Sequence, residues 1–125
     1  MGGNIIWHVD PMGKPRMTQR DKWKKREVVN RYYAYKDLLN LKANLCQYTP
    51  EDKLRIEFYL RMPKSWSKKK RKQYLGKPHQ QKPDIDNLVK AFLDCLLDDD
   101  SFVWDIKAAK YWAKEGRIII QQKIN

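Results

Sequence analysis

Between Lys53 and Met62 the chain alternates without a break. Leu54, Ile56, Phe58, Leu60 and Met62 are apolar, and Lys53, Arg55, Glu57, Tyr59 and Arg61 fall between them. A period of two sends successive side chains to opposite faces of an extended strand. The segment therefore predicts a strand with one buried and one wet face. A sheet half-buried in this way needs another layer over its dry side. With 125 residues there is material for a single core but not for two, so one domain spanning residues 1–125 is expected.

The other elements follow from the same kind of reading. Ile5 to Val9 reads as a short first strand closed by Asp10-Pro11, with His8 as an ordinary strand side chain. From Glu27 to Cys46, the residues Val28, Tyr32, Tyr35, Leu39, Ala43 and Cys46 recur every three or four positions and make one apolar helical stripe. Tyr32, Tyr33 and Tyr35 can stack on bases, but tyrosines at helical spacing are read as core. Pro63-Lys64-Ser65-Trp66-Ser67 opens a short helix, capped by Ser65 or Ser67 and anchored by Trp66. Gly76 to Pro83 reads as a mobile loop in which His79 has no catalytic part. Leu88 to Leu97 is an apolar run read as a helix, capped at Asp86-Asn87. Phe102 to Ala113 reads as a strand whose alternation slips after Ala108, which predicts a bulge. Lys114-Glu115-Gly116 predicts a hairpin turn, with Arg117 to Gln121 pairing back as the last strand. The expected fold is α+β, a mixed sheet of about four strands with one long helix and shorter ones.

Charge bounds the partners. With 27 Lys and Arg against 15 Asp and Glu, the net charge is +12. A balance that basic points to a polyanion, nucleic acid first and an anionic membrane surface second. No apolar run approaches the ~20 residues needed to cross a bilayer, and no signal peptide is visible. Cys46 and Cys95 are too few for a disulfide scaffold or a four-thiolate metal site. They are read as reduced, half-buried residues of an intracellular, cytoplasmic protein.

The charge is also unevenly placed. From Lys14 to Lys36 nine Lys and Arg face two acids, and from Arg61 to Lys90 ten face two. Lys14, Arg16 and Arg20 lie in a Gly/Pro-containing loop where they either hold backbone phosphate or stay solvated. Lys68, Lys69, Lys70, Arg71 and Lys72 are five consecutive cations, costly to hold together without a counter-charge, and are read as phosphate contacts together with Lys82. Seven of the 15 acids fall between Asp84 and Asp105. Carboxylates repel phosphate, so a protein that only holds DNA has no need of such a patch. A protein that cuts DNA through metal ions does.

The acidic patch begins at Lys82-Pro83-Asp84-Ile85-Asp86-Asn87-Leu88-Val89-Lys90 and continues at Asp98-Asp99-Asp100. Asp84 and Asp86 leave one face if the backbone is extended there. Asp86, Lys90 and Asp94 follow at helical spacing on one helix face. Alone, such a pair is most often a helix cap, and Lys90 forms a plain ion pair. In a basic chain the cluster reads as a divalent-metal site. No histidine or serine sits in a nucleophilic constellation, whereas carboxylate-held Mg²⁺ can activate water and stabilise an alkoxide leaving group.

Pro83-Asp84-Ile85-Asp86-Asn87-Leu88-Val89-Lys90, followed by Leu93-Asp94 and Asp99-Asp100-Ser101-x-Val103, resembles the RusA family of Holliday junction resolvases. Lys14-Pro15-Arg16 and Pro63-Lys64-Ser65-Trp66-Ser67-Lys68-Lys69 carry the likeness along the chain in order. The resemblance implies a small homodimeric endonuclease, bacterial or prophage-encoded, that nicks four-way DNA junctions symmetrically with magnesium or manganese. It makes Asp84, Asp86 and Asp100 the metal-binding carboxylates and Lys90 a catalytic or site-organising lysine. The connection from helix to paired acids is shorter here than is usual in the family. Asp99 therefore stands open beside Asp100 as the third ligand, with Asp105 a further candidate. Two other readings stand beside this one. The chain is a non-catalytic basic DNA- or RNA-binding module whose acids cap a helix, or a metal nuclease acting on flaps, forks or single strands.

Overall fold

A computed structural model of the chain describes residues 3–15 and 22–122, with the side chains of residues 3–15 and 26–122. The described residues form β1 (Asn4–Trp7), α1 (Lys22–Cys46), β2 (Lys53–Arg61), α2 (Lys68–Tyr74), α3 (Ile85–Leu96), β3 (Asp105–Ala113) and β4 (Arg117–Gln121). The four strands make one mixed sheet in the order β1-β4-β2-β3, an α+β arrangement as the sequence predicts.

The alternating segment is the second strand from one edge. Leu54, Ile56, Phe58 and Leu60 are all buried, Phe58 completely. β4 lies antiparallel beside it, pairing Ile118 with Phe58 and Ile120 with Ile56. Both isoleucines are buried as well. Against this dry face pack Leu88, Ala91, Phe92 and Cys95 of α3 and Tyr35, Leu39 and Ala43 of α1. Trp7 closes one end of the core, its ring 6.1 Å from Phe92 and 5.7 Å from Tyr48. The side-chain amide of Asn40 donates to the Cys95 carbonyl at 2.9 Å and so ties α1 to the last turn of α3. The cysteines differ from the half-buried expectation, since Cys95 is buried in the core and Cys46 is exposed. The helical stripe on α1 likewise ends at Ala43.

The end of the chain departs from the hairpin expectation. β4 pairs with β1 and β2, not with β3, while β3 pairs with β2 in parallel. The three residues after Ala113 carry the chain past the end of β2 and into the gap beside β1. Local turn chemistry marks where a strand ends but not which neighbour receives the next one. Gly116 is needed for another reason, because a β-carbon there would fall onto Asp10. Nor is there a bulge in β3. Its pairing with β2 runs unbroken from Lys53–Asp105 to Arg61–Ala113. The alternation slips because Lys110 takes a position on the helix side of the sheet.

The loop before α3 also differs from expectation. Far from being untethered, it is hydrogen-bonded along β3: Gly76 N–H to Trp112 O at 2.9 Å, Trp112 N–H to Lys77 O at 2.9 Å and His79 N–H to Lys110 O at 3.0 Å. His79 is 4% exposed and lies 4.1 Å from the Trp112 ring. Burial, and next the charge of Lys110, push its imidazole pKa below the ordinary value.

Two outcomes follow. Phe92→Ala leaves a cavity between α3 and the sheet and costs about 3–5 kcal/mol in urea unfolding. Because the His79 pKa is lower folded than unfolded, the unfolded chain binds more protons below about pH 6.5, and stability falls as the solution is acidified through that range. In parallel unfolding titrations, the slope of stability against pH below 6.5 is shallower in His79→Gln than in the unsubstituted protein.

Candidate functional site

The requirement to bury Leu88, Ala91, Phe92 and Cys95 decides which way α3 faces. On a helix those positions form one stripe, so Asp86, Lys90 and Asp94 are carried on another. Asp84, rather than Asp86 or Asn87, occupies the position capping the helix, and its carboxylate makes no capping hydrogen bond. Its backbone is extended, while Asp86 already lies in the first helical turn. The two carboxylates are therefore not neighbours on one strand face as expected. They stand at successive levels of a helix N-terminus, where the helix dipole favours negative charge. Asn87 acts as a staple, its amide donating to the Lys14 carbonyl at 3.2 Å. Gly13 allows that approach, since a β-carbon there would meet Asn87 and Pro83.

Beside this helix lies an open cavity of about 470 Å³. Ile85, Val89 and Leu93 from α3 and Ile106 and Ala108 from β3 make its apolar walls. Asp86, Lys90 and Asp100 supply its polar groups. Thus residues far apart in sequence are gathered by the packing of α3 on β3. The ammonium of Lys90 lies 3.2 Å from Asp94 and 3.7 Å from Asp100. The second oxygen of Asp94 receives Lys14 at 2.8 Å. The hydrogen bond and charge of Asp94, then the charge of Asp100, raise the Lys90 pKa. Burial alone would push the Asp94 carboxyl up, but the two lysines outweigh it and hold it below its usual value.

The third acid is distinguished by its surroundings. Asp100 lines the cavity with Lys90, whereas Asp99 turns back to accept the Ser101 N–H at 2.9 Å, which lowers its pKa. Asp105 is engaged elsewhere, paired with Arg55 at 2.8 Å. Asp84 does not line the cavity but lies near Lys110, whose ammonium feels its charge. Among the described residues, no three Asp, Glu, His or Cys side chains converge closely enough to hold an ion. Asp86 and Asp100 still offer two carboxylates to one space, and Mg²⁺ usually takes one or two from a protein.

The expected phosphate contacts are distributed unequally. Ser67 caps α2 by accepting the Lys70 N–H at 3.2 Å. Trp66 anchors it, packing 4.7 Å from Trp112 and 5.2 Å from Tyr74. Arg71 donates to the carbonyls of Trp66 and Pro63, and Lys70 lies over the Trp66 ring at 4.3 Å. Lys68, Lys69, Lys72 and Lys82 are exposed. Lys14 joins the Asp94 pair, and Arg16 and Arg20 lie outside the described residues. Lys110 went unnoticed in the sequence; the broken alternation at Ala108-Ala109-Lys110 was its one signal.

A small basic α+β domain with carboxylates and a lysine around one cavity is the class of protein that fold and site define. A family model described as Endodeoxyribonuclease RusA matches residues 8–122. The chain belongs to the RusA endodeoxyribonuclease family. It is also similar to "Uncharacterized protein YqaN" of Bacillus subtilis (strain 168), 39% identical over an alignment covering 50% of each chain. The chain thus spans about half the length of the curated relative it matches. No solved structure matches. No helix among the described residues is long and apolar enough to cross a membrane.

Replacing Asp94 by Asn removes the first cause of the raised Lys90 pKa. In Asp94→Asn, the Lys90 titration followed by NMR moves down towards the ordinary lysine value.

Proposed function

We propose that this protein is a metal-dependent, structure-selective endodeoxyribonuclease that resolves four-way DNA junctions inside the cell by paired, symmetric nicks. The observation carrying this reading is the meeting of Asp86, Lys90 and Asp100 around one cavity in a chain of the RusA family. Asp86 and Asp100, which share the cavity, would hold magnesium or manganese, and Asp84 would join them from the helix cap. Such an ion, when bound, activates a water and stabilises the leaving alkoxide.

The chain's own groups do the rest. Lys90 neutralises charge on the phosphate beside the carboxylates, and Asp94 keeps its ammonium directed there. Asp99 takes no part, since its carboxylate caps its own turn. Lys68, Lys69 and Lys72 on α2, with Lys82, contact the DNA backbone, and Arg71 keeps α2 attached to residues 63–66. A four-way junction has twofold symmetry, so a homodimer with one site per subunit matches the two cuts.

The deciding experiment incubates the protein with a labelled synthetic four-way junction in Mg²⁺ or EDTA, beside flap and fork substrates. Symmetric nicks that need Mg²⁺ and favour the four-way junction support the proposal. Metal-independent binding without nicking would make this a binding module, and preferred cutting of flaps or forks would reassign the substrate. Asp86→Asn and Asp100→Asn each lower the nicking rate by about a thousandfold or more, several kcal/mol at the barrier, while Asp99→Asn stays near the unsubstituted rate. Replacing Lys68, Lys69 and Lys72 together by Gln weakens binding and flattens the slope of log affinity against log salt by about 2 to 3.

A further inference from the structure

Lys110 occupies a position where the sheet is otherwise dry. In the parallel register Ala108 pairs with Ile56, Lys110 with Phe58 and Trp112 with Leu60, and the three β2 residues are all buried. Paired residues share a face of the sheet. Lys110 therefore emerges on the helix side, between the cavity wall at Ala108 and the ring of Trp112. An ammonium placed there is costly unless it finds acceptors.

It finds them in one short segment. Nζ of Lys110 donates to the Pro83 carbonyl at 2.7 Å and also to the Gln81 carbonyl. The backbone of the same residue accepts the His79 N–H at 3.0 Å. Both carbonyls that accept from the ammonium lie within three residues of Asp84, which directly follows Pro83. Asp84 makes no capping bond of its own, so the cap does not determine the direction of its carboxylate. Its backbone is held on the helix side by its own carbonyl, which accepts the Leu88 N–H at 3.1 Å, and on the other side it follows the carbonyls gripped by Lys110.

We infer that Lys110 is a positioning residue for the nuclease: its ammonium clamps the Gln81 and Pro83 carbonyls and so fixes where Asp84 enters the metal-binding constellation. The inference rests on the function proposed above. It assigns Lys110 a role through the backbone, with no contact to substrate. A group that orients a metal ligand typically changes metal affinity or activity by about 10- to 100-fold when removed.

Lys110→Met keeps an unbranched side chain one atom shorter and removes the donor, and Lys110→Arg keeps a donor. Three quantities are compared with the unsubstituted protein: junction binding in EDTA, Mn²⁺ binding followed by its paramagnetic resonance, and the Mn²⁺ dependence of nicking. For Lys110→Met, junction binding stays within about twofold, Mn²⁺ binding weakens about tenfold or more, and half-maximal nicking shifts to correspondingly higher Mn²⁺. Amide hydrogen exchange quickens at residues 79–84 and is unchanged in β2. Lys110→Arg recovers most of the metal affinity. If the Met variant fails to fold, the Arg variant decides alone, and a metal affinity no better than that of Asp84→Asn overturns the inference. Unchanged Mn²⁺ binding in Lys110→Met also overturns it, as does an equal loss of junction binding and stability, which would mark a purely structural lysine. If the unsubstituted protein does not nick, the proposed function falls and the inference with it. If it nicks and Lys110→Met nicks with the same metal dependence, only the inference falls.

Discussion

A helix of twelve residues with one dry side is the constraint on which the molecule depends. Leu88, Ala91 and Phe92 are excluded from water completely, pressed on Phe58, Ile118 and their neighbours. A buried aliphatic or aromatic side chain contributes roughly 1.5–3 kcal/mol, so this contact outweighs any polar interaction in the protein. Once that stripe is fixed, the rotation of α3 is fixed, and Asp86 and Lys90 have only one direction to face. The core therefore aims the acidic residues, and the ion pairs among them need not be strong. Solvent-screened pairs such as Lys90 with Asp94 are weak, too weak to orient a helix but enough to orient a lysine.

The same reasoning explains why the charges are sorted. Asp94 collects Lys14 from the loop after β1 and Lys90 from its own helix, drawing a basic loop over the acidic helix. Asn87 and Gly13 reinforce this approach through the backbone. The cations on α2 are held differently, by ring contacts of Trp66 and by Arg71 bonding to carbonyls. Among the described residues, Lys14 and Lys90 pair with these acids, while no ion pair joins a cation of α2 to them.

How much of this was legible beforehand varied with the reach of the interaction concerned. The alternation of Leu54 to Leu60 and the stripe from Tyr35 to Ala43 are local periodicities, and both elements form where the pattern lies. The motif from Pro83 to Lys90 and the later Asp100 could be read as a unit because the family resemblance spans both, and β3 and α3 do bring Asp86, Lys90 and Asp100 to one cavity. The helix starts at Ile85, three residues before the expected Leu88, because Asp84, Asp86 and Asn87 are all good capping types and only the backbone separates them. The placement of β4 was illegible for a deeper reason: Lys114-Glu115-Gly116 specifies a reversal, not a destination. Lys110 looked like a fault in a strand pattern because its acceptors are carbonyls some 27 residues away, and carbonyls leave no mark in a sequence.

The position of β4 also bears on how the molecule comes into being. Among the described residues β1 pairs with β4 alone, and more than a hundred residues of chain separate the two. While the ribosome is still adding those residues, the first strand has both edges open and nothing to zip against. The sheet closes only when Arg117 to Gln121 slide in between β1 and β2, a late insertion of high sequence separation that makes assembly slow relative to its size. Without β4, the facing borders of β1 and β2 have no strand between them.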